Sequence, residues 1–184
     1  MNVFYLDPRP KIAAQYHVDK HCVKMIVEYS QLLSTAHRIL DGEEYQDLTK
    51  AGRKIKRWRH PNVMHENMLY KASHINHPSA IWARASKQNY LWLFRLFTEC
   101  LEEYTYRYGK HHSSGRLVPL LCNAPEKIVT GVDFTEPPLA MPDEYKTTDV
   151  VESYRQYYMG AKSGFASWKK RPVPYWYTGE HNQS

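Results

Sequence analysis

The chain has 184 residues, of which 42% are hydrophobic, 14% aromatic and 24% charged, values that suit one packed domain over 1–184 and argue against disorder. No apolar run approaches the roughly 20 residues that span a bilayer, and the start MNVFYLDPRPK lacks a basic segment followed by an apolar one, so neither a membrane span nor a secretory leader is expected. A formal charge of +6 favours an acidic partner, DNA ahead of a membrane surface because no basic amphipathic helix is evident.

In chain order, Val3–Leu6 reads as one short strand, stopped where Pro8 and Pro10 exclude a regular ladder. From Lys11 to Leu40, Ile12, Tyr16, Val23, Ile26, Val27, Leu33 and Leu40 recur near helical spacing, and Asp41-Gly42 supplies a stop, which predicts a long helix bent once. Between Glu43 and Ser73 the period weakens, and Lys50, Arg53, Lys54, Lys56, Arg57 and Arg59 gather around Trp58 with no acid between them, so this stretch reads as an exposed, partly helical basic insertion. A second long helix follows from Pro78 to Tyr108-Gly109, burying Trp82, Leu93, Leu96, Phe97, Cys100 and Tyr104. Pro119–Pro142 is proline-rich and should run extended over the surface. Asp149 and Glu152 have capping-box spacing before a last helix that Gly160 or Gly164 ends, and an aromatic, basic tail occupies about 165–184. The expected fold class is therefore mainly α. Cys22, Cys100 and Cys122 show neither paired nor metal-type spacing, which fits a reducing, cytoplasmic compartment, the host's if the protein is viral.

Chemistry concentrates on the first helix. His17, His21, Lys24 and Glu28 are spaced four, three and four apart, so at about 100° per residue they fall within an arc of about 60°. Such a stripe supplies a base, a cation and a carboxylate to one reacting centre, and Glu28 is the leading catalytic group because a carboxylate stabilises developing positive charge or moves a proton. The competing structural reading is an i,i+4 ion pair between Lys24 and Glu28. His17 and His21 also have chelating spacing, with His74 and His77 as further ligands, but HExxH and CxxC patterns are absent and hydrogen-bonded histidines are the commoner outcome, so no metal and no cofactor are expected. The basic cluster Arg53, Lys54, Lys56, Arg57 and Arg59 would neutralise phosphates while Trp58 or the C-terminal aromatics stack on an unpaired base; a solvated charged face is the alternative.

Over Met1 to His112 the order of these features resembles the pyrimidine-dimer DNA glycosylases of the phage endonuclease V type and their bacterial relatives. The likeness rests on the start MNVFYLDP, on His21 seven residues before Glu28, on Asn76-His77-Pro78, and on Glu102-Glu103-Tyr104 ahead of Arg107-Tyr108-Gly109. It implies a helical protein that binds duplex DNA, turns a nucleotide out of the stack and cuts the glycosidic bond of a damaged pyrimidine, with Glu28 at the position of the essential carboxylate. It further implies that an N-terminal amine attacks the sugar and that the resulting imine permits strand cleavage. Asn2 is too large for the usual removal of the initiating methionine, so the amine would be that of Met1; Lys20 or Lys24 would substitute only with a strongly lowered pKa. The Arg-Tyr-Gly order and the insertion depart from the pattern.

These readings converge on a DNA-processing enzyme acting on a flipped or unpaired base, with Glu28, His21, Lys24 and Met1 catalytic and His17, His77 and Arg107 binding substrate. Two alternatives stand beside it: a nucleotide- or DNA-base-modifying enzyme of a viral pathway, and a non-catalytic nucleic-acid-binding or assembly protein.

Overall fold

A computed structural model describes residues 1–179, and among them it contains seven α-helices and one two-stranded sheet, a mainly α fold. The first long helical stretch is two helices, α1 (Pro10–Tyr16) and α2 (Asp19–Asp41), separated by extended backbone at His17 and Val18. The break is filled from α5 (Lys87–Tyr108): the buried Arg107 guanidinium donates to the carbonyls of Gln15 and His17 and to Asp19, taking up acceptors that the end of α1 would otherwise leave orphaned. Arg107 is itself held by Glu103, which also pairs with Arg171.

The insertion is helical only in its last part. It is a β-hairpin, β1 (Glu43–Leu48) and β2 (Lys54–Arg59), followed by a short helix α3 (Val63–Met68). The turn closes through Thr49 and Arg53, with Gly52 at φ +79°, a left-handed conformation that glycine adopts without strain. The second long stretch also divides, into α4 (Pro78–Ala85) and α5, because Ser86 adopts extended backbone and its hydroxyl accepts the Asn89 amide as an N-cap.

Val3–Leu6 has no strand partner among the described residues. All four side chains are buried, so the segment runs through the core and its apolar character reflects that packing. A short helix α6 (Val118–Leu121) precedes the extended proline-rich stretch, and α7 (Val150–Ala161) begins where Asp149 accepts the Glu152 amide at 2.8 Å. Gly160 lies within α7 and does not end it; a side chain there would run into the Tyr145 ring. The aromatic tail is docked: Asp19 receives Ser167 and the Lys169 amide, and Trp168 donates to the Tyr16 carbonyl. The end of that tail, 180–184, lies outside the described residues. No described helix is long and apolar enough to cross a membrane.

Candidate functional site

The predicted stripe is split by the break before α2 and divides between core and surface. His17 is buried, its Nδ1–H donating to the Ala13 carbonyl at 2.6 Å and its Nε2 meeting the Tyr29 hydroxyl at 2.7 Å, while the Phe4 amide donates to the same hydroxyl. His21 Nδ1 meets the Tyr158 hydroxyl at 2.7 Å and its ring stacks on Phe4 with centroids 4.2 Å apart. Burial pushes the His17 pKa down to about 4 and that of His21 down to about 2, so both are neutral hydrogen-bonding members of the core at neutral pH. The helix break at His17 and Val18 takes His17 out of the predicted stripe, leaving His21, Lys24 and Glu28 on α2, and Phe4 and Tyr158 cover His21.

Lys24 is exposed and Glu28 half-buried. No ion pair joins them among the described residues, so the competing i,i+4 bridge is not made. His77 caps α4, its Nδ1 accepting the Ser79 amide at 3.0 Å. Burial lowers its pKa, with further lowering from the positive Met1 amine, which places that amine in its neighbourhood. Arg107, expected to bind substrate, is committed to the α1–α2 break described above and has no exposed side-chain surface.

The basic cluster lies on β2, where alternation sends Lys54, Lys56 and Trp58 to one face and Arg57 and Arg59 to the other. Acids absent from the local sequence come from the partner strand: Glu43 lies opposite Arg59 and Glu44 opposite Trp58, with Lys56 bonded to Glu44 at 3.3 Å. Arg57 donates to the Ala72 carbonyl and Arg59 lies over the Tyr45 ring at 4.6 Å. Trp58 is half-buried, with its carbonyl bound by Arg38. The exposed cations of the ribbon are therefore Lys50, Arg53, Lys54, Lys56 and Arg59.

Sequence reasoning missed a second constellation, at the C-terminal end of α2. His37 and Asp41, one helical turn apart, meet His60, the residue after β2, across a cleft of about 340 Å³ also lined by Asn62, His65 and Lys127. One ligand-type atom from each of His37, Asp41 and His60 lies within 4.8 Å of the others, a spacing that geometrically admits a cation. His37 Nε2 meets the Tyr90 hydroxyl at 2.8 Å, and that hydroxyl donates to the Leu121 carbonyl at 2.7 Å. Burial pushes the His37 pKa down to about 4 and also lowers that of His60. The His60 and His65 rings are stacked, centroids 4.7 Å apart.

Arg38 builds this cleft. Its buried guanidinium uses every donor, on the carbonyls of Tyr70, Trp58, Glu66 and Leu69 and on the Glu66 carboxylate at 2.7 Å. Burial alone would raise the Glu66 pKa, but the His60 amide at 2.6 Å and Arg38 hold it below the usual range. The only local signal was the i,i+4 spacing of His37 and Asp41; nothing nearby in sequence announced that His60 would join them.

No model of a known family, no curated protein and no solved structure matches this chain.

Proposed function

We propose that the protein is a DNA-processing enzyme acting on a flipped or unpaired base, with N-glycosylase chemistry, and an associated lyase step, as its leading form. The observation that carries this reading is the β-ribbon: its exposed cations Lys50, Arg53, Lys54 and Lys56 suit a phosphate backbone, and β2 leads directly into the cleft at His60. Glu28 supports the catalytic part, since a half-buried carboxylate on α2 that makes no ion pair among the described residues remains available to a cationic transition state. His17 and Arg107 have no part in it, because their polar groups are spent on the core, and His21 has its Nδ1 committed to Tyr158.

The test is release of free base from defined oligonucleotides carrying damaged or modified pyrimidines, with borohydride added to capture an imine. Base release with a trapped adduct on Met1 supports the amine as nucleophile; base release without one makes water the nucleophile and leaves the lyase step out. Absence of base release across these substrates rejects the glycosylase form. A base-modifying enzyme is the second reading, favoured by the imidazoles of His37, His60 and His65 and the Asp41 carboxylate that line the cleft.

A further inference from the structure

The cleft at the end of α2 presents a donor whose partner the protein does not supply and an acceptor with lone pairs to spare. His60 Nδ1 accepts the Asn62 amide at 3.0 Å, so the single proton of the neutral ring resides on Nε2. That nitrogen is buried and has no hydrogen-bond partner among the described residues. The ring is held in place, for the His60 amide donates to Glu66, Glu66 is fixed by Arg38, and the His65 ring lies against its face. A buried donor left unsatisfied is costly and is retained where a ligand completes it.

Asp41 supplies the other half. Its Oδ1 accepts the Lys127 amide at 3.0 Å and its Oδ2 the Glu126 amide at 2.8 Å. These bonds orient the carboxylate and leave each oxygen a further lone pair. The cleft thus offers a neutral N–H beside an anionic acceptor.

We propose that this cleft binds the lactam edge of a nucleobase, the keto oxygen accepting from His60 Nε2–H and the adjacent ring N–H donating to Asp41. The atoms of such an edge are about 2.3 Å apart, and two near-parallel hydrogen bonds of about 2.9 Å require protein atoms within about 5 Å of each other. One ring nitrogen of His60 and one carboxylate oxygen of Asp41 lie within 4.8 Å of each other, which brings the imidazole and the carboxylate to the separation that such an edge spans. Guanine, thymine and uracil carry this edge; adenine and cytosine place an amino group against the His60 donor and a bare ring nitrogen against the Asp41 acceptor. A free anion is disfavoured by Asp41. A divalent cation bound through His60 Nε2 would need the lone pair that the Asn62 amide, by occupying Nδ1, denies to the neutral ring. Residues 28 and 41 are about 20 Å apart along the α2 axis, so this is a base-recognition site separate from Glu28. The inference rests on the nucleic-acid reading above only for the source of the base.

The experiment is titration of the full chain with single nucleosides, followed by ligand-observed NMR. Thymidine, deoxyuridine and deoxyguanosine are expected to bind at least tenfold more tightly than deoxyadenosine and deoxycytidine. 3-Methylthymidine, which lacks the ring N–H, tests Asp41 on the unaltered protein and is expected to bind at least tenfold more weakly than thymidine. Asp41→Asn and His60→Phe should each abolish the preference in preparations whose melting temperature shows them folded. Equal binding of all nucleosides, full binding of 3-methylthymidine, or no nucleoside binding overturns the proposal. Stoichiometric zinc binding that disappears in Asp41→Asn, with no nucleoside binding, makes this a metal site instead. Salt-dependent DNA binding measured alongside separates the two readings. Keto preference without DNA binding defeats the function proposed above and leaves this site standing, whereas DNA binding without keto preference defeats only this site.

Discussion

The buried Arg38 guanidinium and the partly exposed Glu66 carboxylate form an ion pair at 2.7 Å, and through it α2 holds the chain on both sides of His60. Removing the guanidinium would leave the Glu66 carboxylate and four carbonyls without their donor. Arg38→Met is therefore expected to cost roughly 2–3 kcal/mol, mostly from the carbonyls left without a donor, since the Glu66 carboxylate is partly solvated. Urea unfolding measures it, and limited proteolysis should show earlier cutting between residues 43 and 73. A loss below about 1 kcal/mol would mean that the guanidinium is dispensable for anchoring the insertion.

The buried histidines set an acid limit on stability. His17 and His37 have folded pKa values pushed down to about 4, and His21 to about 2, against about 6.5 in an unfolded chain. Below pH 6.5 the unfolded state binds protons that the folded state refuses, so stability falls as pH drops. The fall continues for His17 and His37 until about pH 4 and for His21 below it, at about 1.4 kcal/mol per pH unit for each fully titrating ring. The carboxylates of Glu66 and Glu103, held low by arginines, add their own loss only further into acid. Urea unfolding at pH 7, 6 and 5 should show a steepening decline, and a flat profile across that window would contradict burial of these rings in neutral form.

Much of the helical framework was legible because its signals are local. The periods of α2 and α5, the Asp149 cap and the apolar positions of Leu93, Leu96, Phe97 and Cys100 all depend on neighbours within a few turns. The breaks at His17–Val18 and Ser86 were harder to read, since the first depends on Arg107, about 90 residues away. The hairpin was missed because Lys54–Arg59 shows no apolar alternation; its register appears only once Glu43–Leu48 lies opposite. The predicted stripe loses His17 to the break before α2, and sequence period cannot show that Phe4 and Tyr158 cover His21. His60 could not be assigned to His37 and Asp41 at all without the Arg38–Glu66 tether.

Charge reversal at Lys50, Arg53, Lys54 and Lys56 is expected to weaken DNA binding across sequences and flatten its dependence on salt. These side chains are exposed, so changing them tests counterion release with little effect on folding. Arg57 is left intact because it binds the Ala72 carbonyl. The slope of log affinity against log salt should fall by about 0.9 for each duplex phosphate that is no longer neutralised. An unchanged slope removes the ribbon from the interface.

Glu28→Gln separates catalysis from folding. Glu28 is half-buried on α2 without an ion pair among the described residues, so the isosteric amide should change stability by no more than about 0.5 kcal/mol. Base release passes through a sugar that develops positive charge, and an amide cannot supply the negative charge that stabilises it. The variant should therefore retain DNA affinity while its single-turnover rate falls by about 100-fold or more, a pattern that assigns the missing interaction to the transition state. Lys24→Met serves as the comparison on the same helix: it removes a neighbouring exposed cation, and its effect should appear mainly in the salt dependence of binding. If Glu28→Gln instead lowers the melting temperature sharply while the folded fraction keeps its rate, Glu28 is structural and the catalytic carboxylate must be sought elsewhere, with Asp41 the first candidate because it already faces the cleft.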